Sequence, residues 1–139
     1  MATNTMGTTA RRYAQQQVHY LRKAFDFSAG DAGVVAVGIL PKGAIVTGGG
    51  VHVDVAFNAG TANTANVGYA AHGDVDADVD GLATLLALGT AGFKALDELG
   101  AATNRAFQAD TDITATLALT GTAPTAGTGT VIIQYVVDN

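Results

Sequence analysis

The chain has 139 residues, 12 acidic and 7 basic side chains, a formal charge of −5 and no cysteine. That composition excludes disulfides, thiolate metal sites, iron–sulfur clusters and thiol catalysis, and an acidic chain without a basic stripe argues against a nucleic-acid partner. Apolar residues make up 48%, enough for one core, while charged residues make up only 14%, which leaves an unusually neutral surface.

Residues 1–17, MATNTMGTTARRYAQQQ, read as a flexible N-terminal arm, because Thr, Asn and Gln offer little to bury. The arm is read either as a solvated terminus or as a segment that orders against a partner. In the second case Arg11, Arg12 and Tyr13 are the candidate partner contacts. No apolar run follows the two arginines, so the start does not read as a secretory leader. Nor does any stretch reach the roughly 18 apolar residues of a membrane span. The expectation is a protein made in the cytoplasm, with no membrane partner.

Residues 18–139 read as a single strand-rich domain. Residues 18–27 end in Phe25 and Phe27 on one face with Asp26 on the other, and a Ser/Gly/Asp turn follows. Residues 34–40 are a second strand, and Pro41-Lys42-Gly43 a turn. The clearest strand is 44–57, where Val51, Val53, Val55 and Phe57 alternate with His52, Asp54 and Ala56. The Gly48-Gly49-Gly50 run inside it predicts a bulge or bend. Residues 61–69 are another strand and 73–81 a loop. The run 82–88 fits helix or strand; a short helical turn passing into a strand is the favoured reading, and 93–99 is equally ambiguous. Residues 104–109 and 112–120 read as strands, the latter alternating Ile113, Ala115, Leu117 and Leu119 with Thr114, Thr116, Ala118 and Thr120. A flexible turn at 121–129 leads to a last strand at 131–137. About eight strands with little helical signal predict an all-β, antiparallel β-sandwich of jelly-roll type.

The chemistry-bearing residues are sparse. In DVDADVDG at 74–81, residues Asp76, Asp78, Asp80 and Gly81 match the opening of a helix–loop–helix calcium loop, but its twelfth position is Ala87 where a bidentate Glu is required. That loop is rejected. A looser calcium site on 74–80 stays open beside the plainer reading of a solvated acidic loop. His19, His52 and His72 lie on separate elements without ligand spacing and are expected on the surface or on strand faces. Ser28 is the lone serine and has no activating neighbour; Asp97 and Glu98 are merely adjacent. Gly48-Gly49-Gly50 precedes a strand and lacks a phosphate-loop lysine. No catalytic residue, metal ligand set or cofactor site is expected, so the chain reads as an assembly component rather than an enzyme.

Three segments, GILPKGAIV at 38–46, VHVDVAFNAGT at 51–61 and NVG at 66–68, resemble small structural proteins of tailed bacteriophages. Within that group the chain is most similar to the jelly-roll cement, or decoration, proteins of HK97-type capsids. The resemblance implies a homotrimer on the outer capsid surface whose partner is the major capsid protein and which locks neighbouring subunits against internal DNA pressure. Another virion part, such as a head-fibre base or tail protein, and a sandwich that binds a small ligand or glycan are the competing readings.

Overall fold

A computed structural model describes residues 17–137. Among them run eight strands: β1 His19–Asp26, β2 Val34–Leu40, β3 Ala44–Val55, β4 Ala62–Tyr69, β5 Asp78–Ala87, β6 Gly92–Ala95, β7 Thr111–Thr120 and β8 Thr128–Val137. They form two four-stranded sheets, ordered β1-β8-β3-β6 and β2-β7-β4-β5. Every described pairing is antiparallel. The first strand pairs with the last, the second with the seventh, the third with the sixth and the fourth with the fifth. This is the wrapped ribbon of a jelly roll, as the strand pattern predicts.

Period-two alternation builds the core. On β7, Thr111, Ile113, Ala115, Leu117 and Leu119 are buried while the residues between them face outward. They meet Val51, Val53, Val131 and Ile133 from the other sheet, with Leu40, Leu82 and Leu88 filling the space between. Full burial of one such leucine is worth about 1.5–3 kcal/mol. The buried Thr111 is satisfied because its Oγ1 donates to the Ala109 carbonyl at 2.7 Å.

The glycine run in β3 is a bulge, with the register to β8 shifting between Val46 and Gly48. Gly49 has φ +115°, and a Cβ there would sit 2.1 Å from the Ile132 carbonyl oxygen. Only glycine fits, because its backbone is both left-handed and pressed onto the neighbouring strand.

Several expectations are corrected. A second register shift between Val53 and Val55 rotates Val55 outward, so it is exposed while Val53 and Phe57 stay buried. Phe27 leaves β1 for a single 3-10 turn, Phe27–Ala29, and is partly exposed instead of pairing with Phe25. Asp26 ends the strand by accepting from both the amide and the hydroxyl of Ser28. The run 82–88 contains no helical turn: residues 82–87 belong to β5, which begins at Asp78 inside the expected loop, and Leu88 follows it. Within β5, Leu85 has φ +53°, a local irregularity that lets Leu82, Ala83 and Leu86 all point inward. Of 93–99, only the start is strand, in β6. Residues 104–109 are not a strand; Asn104 closes a turn onto the Ala101 carbonyl, and Phe107 plugs the core from an irregular segment.

Candidate interaction surfaces

Arg11, Arg12 and Tyr13 lie outside the described residues.

The outer face of β2-β7-β4-β5 carries few charges, Asp112 on β7 among them. Val34 pairs with Thr116, which pairs with Asn66, so the three form one row across the sheet. The Asn66 side chain then accepts from the Leu85 amide at 2.7 Å. Next to it, the Thr84 amide donates to Asp97 at 2.9 Å. These two bonds hold Leu85 in its left-handed conformation with its side chain 62% exposed. Val34 and Ile39 are exposed to a similar degree on the edge strand β2. Thr114, Ala118, Thr64 and Ala87 lie on the same face, with the exposed Asp112 carboxylate opposite Ile39.

The outer face of β1-β8-β3-β6 is more polar. Ala24, Thr130, His52 and Phe93 form one row, with Arg22 and Asp26 beside it on β1. Small residues here leave an open cleft of about 470 Å³ between Asp26, Thr128, Thr130, His52 and Asp54. The two hydrogen bonds from Ser28 hold the Asp26 carboxyl below the usual range. His52 and Asp54 share no side-chain hydrogen bond among the described residues.

The acidic segment does not gather. Asp74 accepts from Arg105 at 2.8 Å and from the Gln108 side chain. These bonds lower its pKa, that from Gln108 most. Asp78 and Asp80 open β5, and the Asp80 amide donates to the Asp78 carboxylate at 3.3 Å. The Asp80 carboxyl is pushed up, first by its hydrogen bond with the Asp78 side chain and then by burial. Among the described residues no three His, Asp or Glu side chains converge to hold a cation.

His72 is where residue-by-residue reading failed. It is 2% exposed, packed against Tyr69 and Phe107 with ring centroids 5.3 and 4.6 Å away. Tyr69 three residues earlier and the apolar stretch around it were the available signal. Its burial depends on Phe107, 35 residues later in the chain, which sequence spacing does not reveal.

No family model matches the chain, and no curated protein is significantly similar to it. Its fold is nevertheless found in solved structures. A chain of the cyanophage Pam1 capsid asymmetric unit superposes with a TM-score of 0.66 at 21% identity, over 99% of this chain and 96% of that one. A chain in the capsid of Ralstonia phage GP4 gives 0.63 at 18% identity, over 96% and 92%. One in the acidic stable capsid structure of Helicobacter pylori bacteriophage KHP30 gives 0.54 at 15%, over 88% and 89%. The likeness is one of fold. It extends over most of both chains in each case, so the whole sandwich is shared rather than a fragment.

Proposed function

We propose that this chain is a non-enzymatic structural component of a phage virion, and specifically a cement protein on the outer capsid surface that ties neighbouring major capsid subunits together. The carrying observation is the near end-to-end match of its jelly roll to chains in phage capsids. The motif at 38–61 and the sparsely charged outer face of β2-β7-β4-β5, with Val34, Ile39 and Leu85 exposed on it, favour the same reading. A net charge of −5 suits a protein that faces away from the genome. In this reading residues 18–139 are one sandwich domain, and residues 1–17 are an arm whose Arg11, Arg12 and Tyr13 reach the partner. Each contact can be weak, because a homotrimer engaging several subunits at once binds through all of them together.

The test is co-sedimentation of the full chain with assembled shells of its phage that lack it, beside free capsid subunits. Saturable binding to shells only is expected, with a trimer by light scattering and weaker binding after Arg11→Ala with Arg12→Ala. Absence of shell binding overturns the cement reading. Recovery on tails, or a saturable sugar on a glycan array, would support the competing readings in its place.

A further inference from the structure

One end of the sandwich is closed by three segments: the β2–β3 turn at 41–43, the β4–β5 connection at 70–77 and the irregular stretch at 96–110. Phe107 joins the first and third, its carbonyl accepting from the Gly43 amide at 2.7 Å and its amide donating to the Ala44 carbonyl at 2.9 Å. His72 joins the second and third. Its Nδ1 accepts from the Gln108 amide at 3.2 Å, so the neutral ring carries its proton on Nε2. That nitrogen is buried and has no partner among the described residues. The Gln108 side chain returns to the same turn, accepting from the Asp74 amide at 3.0 Å and donating to the Asp74 carboxylate.

We infer that His72 is a pH-sensitive latch: as a neutral imidazole it fastens the β4–β5 turn to the 104–110 segment, and its protonation in mild acid releases that end of the jelly roll. The bonding leaves no room for a second proton. A proton on Nδ1 would face the Gln108 N–H donor, turning an acceptor–donor pair into two opposed donors. The new charge would also sit among Tyr69 and Phe107 with no carboxylate bonded to the ring.

The balance of the surrounding groups acts in the same direction. The Tyr69 ring on β4 stands edge-on to the imidazole, and its buried hydroxyl has no partner among the described residues. Arg105, from the 96–110 segment, repels the imidazolium, and Asp74, on the turn itself, attracts it; at the same end the Lys42 amide donates to the Asp110 carboxylate. Burial first, then Arg105, holds the His72 pKa below its ordinary value of 6.5, against the smaller pull of Asp74. The opened segment therefore takes up the proton more readily than the closed one. Closure is at full strength above the ordinary histidine value and is lost as pH falls below it. This inference stands independently of the capsid reading.

The experiment is hydrogen exchange of the full-length chain at about pH 7.5 and about pH 5, either side of an ordinary histidine. Protection factors, corrected for the slower chemistry in acid, are expected to fall at 70–77 and 104–110 while β3 and β8 keep theirs. His72→Asn retains an acceptor near Nδ1 without a titratable ring, and should abolish that loss. Unchanged protection in the native chain overturns the inference, as does an equal loss in His72→Asn. Should that variant not fold, NMR titration of the native chain decides. The His72 ring and the Gln108 amide are expected to move together with a midpoint below 6.5. A Gln108 amide that does not follow the ring overturns the inference.

Discussion

At the end of the sandwich where β4 turns into β5, three segments meet around His72, Phe107 and Asp74. At the opposite end, segments 56–61 and 121–127 meet around Asn58 and Phe57. There the Asn58 amide group donates to Thr125 Oγ1 at 2.9 Å and accepts from the amides of Thr125 and Ala126 at 2.8 and 3.1 Å. Backbone bonds from Gly60 to Thr122 and from Phe57 to Leu88 complete it. Both ends place a buried aromatic over the core and join two loops through polar side chains. The Asn58 clasp is made of neutral amides, whose bonding does not change between weak acid and neutrality. The other clasp uses an imidazole, a carboxylate and a guanidinium, so its strength depends on protonation. One fold can thus hold an indifferent end and a responsive one.

The largest effects should come from removing the two aromatics. Phe107→Ala and Phe57→Ala should each cost about 3–5 kcal/mol in urea unfolding at neutral pH, since both rings are buried. They should differ in acid: Phe107→Ala opens His72 to water and flattens the pH dependence of stability below the ordinary histidine value, whereas Phe57→Ala leaves that slope intact. Equal slopes in the two variants would erase the distinction between the ends.

Asn58→Ala is a smaller change. Losing its three bonds at a solvent-exposed clasp should cost about 1–2 kcal/mol, by the same amount in weak acid as at neutrality. A cost that varied with pH over that interval would show that the amide end is coupled to the titrating one.

The smallest expected effect is that of Arg105→Ala. The Arg105–Asp74 pair is exposed, so stability at neutral pH should hardly change. Removing the cation should instead raise the His72 titration midpoint toward its ordinary value, measured by NMR. The direction is fixed because Arg105 is the second cause of its depression.

Alternation along one strand was enough to place β2, β7 and most of β3, β4 and β8, and to give the antiparallel sandwich, because side chains in a strand take opposite faces by geometry alone. The Pro41 turn and the bulge at Gly48-Gly49-Gly50 were equally legible, since proline and glycine act through their own backbone limits. The order of strands in each sheet, the turning of Val55 to solvent, the joining of 78–87 into one strand and the burial of His72 were not. Each depends on a partner distant in sequence: β8 for the β3 register, Asn66 and Asp97 for the backbone at Thr84 and Leu85, Phe107 and Gln108 for the histidine. Local sequence fixes what a residue can do with its neighbours in the chain. Which face it shows, and which proton it holds, is decided by whatever the folded sheets bring against it.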